Sequence, residues 1–156
     1  MTWFEDLTGI AEHNPEHVRG QLELEGEWLK IGIQRNAEAT LPGADHTFSQ
    51  DCCSALTVAY RREPGSLWKP FARLVLEAAY DAVFCAARVN RAKTGRNQLF
   101  LTWTAGGAFG NRNEWIIDVI ERAVRNHRDS GLEVQIVSYG CSQLAVAELI
   151  ERAGRL

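Results

Sequence analysis

The feature that most constrains how this chain folds is an apolar, strand-like run followed by a glycine-rich loop and then by an amphipathic helix. Residues 98–104 are apolar almost throughout, which is typical of a strand buried on both faces in the centre of a parallel sheet. Three glycines lie within residues 105–111, and apolar residues then recur at helical spacing over 116–127. The sequence therefore predicts a strand that feeds a helix through a tight loop.

The segments on either side continue this alternation of helix and strand. Apolar residues at three- and four-residue steps predict a helix over 68–93, which Gly95 ends. Later runs predict a strand over 134–139 and a last helix over 142–153. The order helix, strand, helix, strand, helix indicates an α/β fold with a parallel sheet, right-handed crossovers and helices on both faces.

The first third of the chain has weaker patterns. Residues 1–28 are irregular, with a short helix predicted near their end, and we separate them as an N-terminal segment from an α/β domain over 29–156. Weak alternation predicts a strand over 29–41, followed by a turn. The β-prone run 53–60 predicts a second strand, because charge, proline and glycine interrupt it immediately afterwards.

Composition narrows the classes of function. A chain of 156 residues that is 46% hydrophobic and 24% charged is an ordinary globular domain. Its net charge of −3 gives no broad positive field, so neither nucleic acid nor a membrane is expected as a partner, and the absence of a signal-like start predicts a cytoplasmic protein. The four cysteines and four histidines have no metal-ligand spacing, so we expect no metal and no cofactor.

The glycine loop is the segment that carries chemistry. Glycines at 106, 107 and 110 let backbone N–H groups approach phosphate oxygens, and the following helix adds its positive dipole end. Asn111 or Asn113 is expected to cap that helix. The loop lacks both the Lys-Ser/Thr ending of a P-loop and the spacing of a dinucleotide fingerprint, which disfavours both of those functions. A tight turn without any ligand stays open as an alternative.

Several motifs resemble a known family. The segment 100–102, the loop 106–111 and the pair Trp115-Ile116 resemble the diphosphate loop of macro domains. More closely, Gln50 and residues 53–56, 58–60 and 70–80 are similar to a bacterial macro domain-like group related to poly(ADP-ribose) glycohydrolases, although Thr57 stands where that group is expected to have proline. The resemblance covers the chain from about residue 29 to its end.

The resemblance implies a three-layer α/β/α sandwich with a mostly parallel sheet. Its ligand would be ADP-ribose or a related nucleotide diphosphate, either free or attached to a protein. By the same resemblance the ligand-binding residues are Gly106, Gly107, Ala108, Phe109, Gly110 and Asn111. They would wrap the diphosphate and the distal ribose, with Phe109 packing near the ribose.

One departure from the family bears on catalysis. Residues 1–9 also resemble the start of these proteins, yet the long segment expected before residue 29 is missing, which indicates an internal deletion with a junction near 25–30. That segment would carry the paired glutamates of the glycohydrolases. Glu77 and Glu114 are the acids near the motifs, and their places favour a helix surface and a first helical turn. We therefore assign no catalytic residue and expect glycohydrolase activity to be weak or absent.

A second hypothesis belongs to a different class of function. A chain that has lost central strands exposes sheet edges and apolar surface, which must be covered. The chain would then be a non-catalytic, macro-like remnant that acts as an oligomerisation or protein-interaction module. His127, at the end of a helix stripe, is expected to be structural under either hypothesis.

Overall fold

The computed structural model describes residues 30–40, 42–60, 62, 65–103, 109–138, 140 and 144–154. The N-terminal segment 1–28 and loop residues 104–108 lie outside this described part of the chain. The elements are β1 (Gly32–Glu38), β2 (Thr47–Cys52), a 3-10 turn (Val58–Tyr60), α1 (Gly65–Thr94), β3 (Gln98–Thr102), α2 (Asn113–Asn126), a second 3-10 turn (Arg128–Ser130), β4 (Glu133–Val137) and α3 (Leu144–Ala153).

The strands form two separate two-stranded sheets in the described residues. β3 and β4 are parallel, with Leu99 opposite Val134 and Leu101 opposite Ile136. β1 and β2 form an antiparallel hairpin whose register shifts between Gln34 and Ala37. The mixed α/β class is thus confirmed. A mostly parallel sheet is not what the described strands form, because one of the two small sheets is antiparallel.

The helices agree with the apolar periodicity of the sequence. α1 covers the predicted 68–93 and begins three residues earlier. It ends where expected, because Gly95 adopts a φ of +76° and its N–H bonds to the carbonyl of Arg91 at 2.8 Å. α2 begins three residues before the predicted apolar stretch and ends one residue before its end, and α3 begins two residues later than predicted and ends at the predicted residue.

The prediction that 98–104 is buried on both faces is wrong. Burial alternates along β3: Leu99 and Leu101 are buried, whereas Phe100 between them is 57% exposed. β4 alternates in the same way, and Val137 is 49% exposed. The inner face packs on the core, and the described residues leave the other face, defined here by Phe100 and Val137, uncovered.

The prediction of a strand over 53–60 is also wrong. Residues 53–57 are irregular and lead into the 3-10 turn, which is held by local bonds such as Val58 N–H to the carbonyl of Leu56 at 3.0 Å. Ala55 and Val58 are the buried residues here, and they are three positions apart. β-propensity describes how well a side chain fits the pleated, half-buried surface of a sheet. Residues 53–60 pair with none of the described strands, so this apolar run packs as an irregular segment and a turn.

A single apolar core joins α1, α2, β3 and α3. Each side chain at its centre is at most 1% exposed: Leu76 and Phe84 of α1, Ile116, Val119 and Ile120 of α2, and Leu149 of α3. This core fixes the end of β3 and the start of α2 relative to each other. The glycine loop joins those two points.

Candidate functional site

The glycine loop leaves β3 at a point held by α1. The Tyr80 hydroxyl, on the buried side of α1, donates a hydrogen bond to the carbonyl oxygen of Thr102 at 3.2 Å. Thr102 is the last residue of β3. The loop therefore starts from a fixed backbone position at the carboxyl end of a parallel strand, which is the edge where α/β sheets bind their ligands.

The far end of the loop is held against residues 56–60, which we call the 56–60 segment. Gly110 has a φ of +70°, a conformation that side chains disfavour. A Cβ atom added there would lie 2.7 Å from the Cβ of Ala59 and 3.0 Å from its backbone nitrogen. The backbones of Gly110 and Ala59 thus approach more closely than any residue with a side chain would allow.

Asn111 makes the second contact between the loop and the 56–60 segment. The residue is 5% exposed, and its Nδ2 donates to the carbonyl oxygen of Leu56 at 2.8 Å. The prediction that Asn111 or Asn113 caps α2 is wrong. The N-cap is Arg112, which is extended and makes no side-chain cap bond.

The two aromatic residues beside these contacts have different surroundings. Phe109 is partly buried and packs against the hydrophobic core. Tyr60 ends the 3-10 turn one residue after Ala59, and it is 72% exposed. Sequence reasoning assigned Phe109 to the ribose and gave Tyr60 no role; its exposure beside the loop is visible only in the structure.

Two charged residues follow the loop in the chain at the start of α2. The positive end of the helix dipole lies here, and the exposed Arg112 adds a full positive charge. Glu114, also exposed, occupies the first turn as the sequence predicted. The amino end of α2 therefore offers the loop both a dipole and a cation.

Glu77, the second acid near the motifs, is engaged elsewhere. Its carboxylate lies 3.2 Å from the guanidinium of Arg122 and 3.5 Å from that of Arg73. The pair with Arg122 ties α1 to α2 on a partly exposed surface, and the pair with Arg73 lies within α1. The expectation that Glu77 is a helix-surface residue agrees with this placement.

His127 has a structural place, as expected. It is the C-cap of α2, and its backbone N–H bonds to the carbonyl of Ala123 at 3.1 Å. Its ring stacks on Phe84 with the ring centroids 5.1 Å apart, and its Nε2 lies 3.5 Å from a carboxylate oxygen of Asp81. These contacts hold the end of α2 on the middle of α1.

Two acidic groups lie where β2 enters the irregular segment. Partial burial raises the pKa of the Asp51 carboxyl, and the positive charge of Arg35 offsets part of that rise. Burial also raises the pKa of the Cys53 thiol, and the neighbouring Asp51 and Cys52 raise it further. Cys53 is therefore kept as a neutral thiol, which makes it a poor nucleophile.

A concave region lies at the other end of the β3–β4 sheet, near the amino ends of its strands. It has a volume of about 700 Å³ between the last turns of α1 and the second 3-10 turn, and its lining residues include Cys85, Arg88, Arg91, Gly95 and Ser130. The Arg91 guanidinium is bonded to the Ser130 carbonyl. This region adjoins the amino ends of the strands, away from the glycine loop.

Neither a metal site nor a membrane span is found in the described part of the chain. No group of three or more His, Cys, Asp or Glu side chains is arranged there to hold a metal ion. None of the helices described is both long and apolar enough to cross a bilayer.

Comparison with known proteins gives no relative from which a role can be transferred. No protein-family model, no curated protein and no solved structure matches the chain. Any function must therefore be argued from the geometry of the loop and its anchors.

Proposed function

We propose that the chain binds ADP-ribose or a related nucleotide diphosphate through the loop 106–111, as its resemblance to macro domain-like proteins implies. In this proposal the fold is the portion of a three-layer α/β/α sandwich that carries the diphosphate loop. Both the free ligand and a protein-attached form fit this proposal, because the loop would contact only the diphosphate and the distal ribose.

The observation that carries the proposal is the way the loop is anchored at both ends. Tyr80 holds the last carbonyl of β3, and Gly110 and Asn111 hold the other end against the 56–60 segment. Fixing both ends of a glycine-rich segment lowers the conformational entropy that its backbone loses when an anion binds. Successive backbone N–H groups are donors that favour a phosphate group.

The position of the loop supports the same ligand class. The loop follows the carboxyl end of a parallel strand and precedes the amino end of a 14-residue helix. A helix start favours anions through its dipole, and Arg112 adds a positive charge to it. This local capture of an anion is compatible with a net charge of −3 for the whole chain.

The proposal includes binding and assigns no catalytic residue. Cleavage of a glycosidic bond requires a carboxylic acid placed to protonate the leaving group or a carboxylate to orient water. Glu77 is held in ion pairs on the helix surface, and Glu114 is an exposed first-turn residue. Residual glycohydrolase activity would therefore depend on groups outside the described contacts, and we expect it to be weak or absent.

The proposal is tested by titration calorimetry of ADP-ribose against the wild-type chain and two glycine variants. Gly107→Val places a branched side chain in the loop and should abolish saturable heat. Gly32→Val is the control, because Gly32 is exposed in β1 and an added Cβ would approach Cys52 no closer than 3.6 Å, an ordinary contact. Circular dichroism shows whether each variant is folded. Equal affinity of folded Gly107→Val and wild type would exclude this loop as the site.

A second candidate function rests on a different observation. Phe100 and Val137 expose apolar surface on the uncovered face of the β3–β4 sheet, and monomeric proteins tend to cover such surface. A non-catalytic remnant that self-associates or binds another protein through this face is the alternative. Its test concerns the oligomeric state and is given in the Discussion.

A further inference from the structure

The concave region at the amino ends of β3 and β4 has apolar and cationic side chains on one face of α1. Cys85, Val89 and Ala92 follow one another at four- and three-residue steps, so they share a face of the helix. Arg88 lines the same region, and all four residues are exposed. The volume of about 700 Å³ is within the range of small-molecule sites.

One of the two guanidinium groups in this region is held in place. Arg91 donates a hydrogen bond from Nη1 to the carbonyl oxygen of Ser130. Gly131, with a φ of +66°, lies against the same guanidinium, because an added Cβ would be 2.9 Å from its Cζ. The Ser130 carbonyl is uncharged, so Arg91 keeps its full positive charge and has further N–H groups for an anion.

No carboxylate in the described part of the chain neutralises these two guanidinium groups. Asp129 is the acidic residue of the lining, and its carboxylate lies 3.6 Å from the guanidinium of Arg128. Neither Arg88 nor Arg91 forms an ion pair with a described residue. Two such groups beside an apolar wall match a molecule that has both an anionic group and an alkyl chain.

We propose that this concave region is a second ligand site, for a small molecule that carries a carboxylate and a short alkyl chain. The carboxylate would pair with Arg88 and Arg91, and the chain would cover Val89 and Ala92. This inference goes beyond the proposed function and does not depend on it. ADP-ribose has neither a carboxylate nor an alkyl chain, so it is not expected to bind here.

The exposed thiol of Cys85 serves as a reporter, because it lines the region. The chain is alkylated with N-ethylmaleimide, and the rate at each cysteine is followed by mass spectrometry of its peptides. Octanoate that occupies about nine-tenths of the sites should slow alkylation of Cys85 about tenfold. Cys52, an exposed thiol on β2, is the internal control and should keep its rate.

Three further ligands test which chemistry is recognised. Octanol lacks the carboxylate and acetate lacks the alkyl chain, so each should protect Cys85 less than octanoate does. ADP-ribose should leave the alkylation rate of Cys85 unchanged. The inference is overturned if octanoate gives no protection, if octanol protects equally well, or if octanoate slows Cys52 as much as Cys85.

A pair of variants tests the role of the positive charge. Arg88→Gln should weaken octanoate binding by up to about fivefold, the upper end for an exposed ion pair. Lys69→Gln removes the same charge from an exposed position near the start of α1 and should bind octanoate as the wild type does. Wild-type affinity in Arg88→Gln, or an equal loss in both variants, would contradict the inference. Arg88 would then act only on the carboxyl end of the α1 dipole.

Discussion

Asn111 and Gly110 are adjacent residues that contribute in different ways to the contact between the loop and the 56–60 segment. Gly110 allows two backbones to touch because it has no side chain, and Asn111 joins them by a hydrogen bond from its amide to the Leu56 carbonyl. Both depend on the identity of a single residue. The connection between the loop and the 56–60 segment is therefore sensitive to point substitutions.

The contribution of this amide can be measured by removing it. Asn111→Ala deletes the donor to the buried Leu56 carbonyl and should lower the free energy of unfolding by about 1–3 kcal/mol. Asn113→Ala is the matched control, because Asn113 is exposed at the first position of α2. Urea denaturation of both variants checks this. Equal stability of the two would mean that the amide contributes nothing.

The sequence alone indicates part of this arrangement. Three glycines after a strand predict a backbone that phosphate oxygens approach, whereas the close approach that the structure describes at Gly110 is that of Ala59. The sequence does not reveal that Asn111 turns to a carbonyl 55 residues earlier in the chain. Cap propensity is a local rule, whereas the hydrogen bond from Asn111 depends on a distant carbonyl that tertiary packing brings close.

Asp51 gives a second prediction at the scale of one residue. Its raised pKa means that the fold favours the neutral carboxyl, so stability falls as pH rises through the folded-state pKa. An asparagine side chain resembles the neutral carboxyl and does not ionise, so the variant does not lose stability in this way as pH rises. Asp51→Asn should therefore have a higher Tm than wild type at pH 7, and the gain should disappear below the usual aspartate pKa of about 4.

Thermal melts from pH 3 to pH 7, at about one-unit steps, follow this linkage. Asp45→Asn removes the same charge from an exposed position before β2 and serves as the control. A Tm for Asp51→Asn that is below that of wild type at pH 7 would contradict the account. It would show that attraction to Arg35 outweighs the cost of burial.

At the scale of elements, α1 contacts the carboxyl end of β3 and the segment before the amino end of β4. Its middle contacts the end of β3 through Tyr80, and its last turn reaches the Ser130 carbonyl before β4. Arg122 of α2 lies within 3.3 Å of Glu77 and Asp81 on α1. α1 thus fixes both the start of the loop and the helix that follows it.

The coupling of α1 to the loop is tested by Tyr80→Phe. The variant keeps the buried ring and loses the hydroxyl that bonds to Thr102, which should cost about 1 kcal/mol of stability. Because the loop would start from a less fixed carbonyl, the affinity for ADP-ribose should also fall, by about fivefold if all of that free energy is lost on binding and by less otherwise. Calorimetry checks this, and unchanged affinity would show that Tyr80 supports the core alone.

The elements also show where sequence patterns succeed and fail. Helix periodicity located α1 because the helix buries one stripe between Trp68 and Phe84, which includes Leu76. The same reasoning failed for 53–60, whose apolar residues pack without a partner strand. The sequence shows that a residue is apolar but does not show which surface is available to cover it.

At the scale of the whole molecule, the described chain has a core on one face of the β3–β4 sheet and exposed apolar groups on the other. Phe100 and Val137 are 57% and 49% exposed. A complete α/β sandwich covers both faces of its sheet. This difference is compatible with the internal deletion that the sequence resemblance indicates, and it makes self-association the natural alternative function.

The oligomeric state tests this alternative. If the uncovered face mediates self-association, size-exclusion chromatography with light scattering should give more than the monomer mass of 17.5 kDa, and Phe100→Ser should shift the sample toward the monomer. Val89→Ser is the control, because Val89 is an exposed apolar residue on α1. A wild-type chain that stays monomeric at high concentration would remove the support for this second function.

The central claim is that a nucleotide diphosphate binds at the glycine loop, and its location can be measured directly. Backbone amide resonances of the ¹⁵N-labelled chain are followed by NMR during titration with ADP-ribose. The account predicts that the largest saturable shifts occur at residues 106–111 and in the 56–60 segment, with those near Gly95 and Ser130 unmoved. Shifts confined to that other end of the sheet, or no shifts in a folded sample, would contradict it.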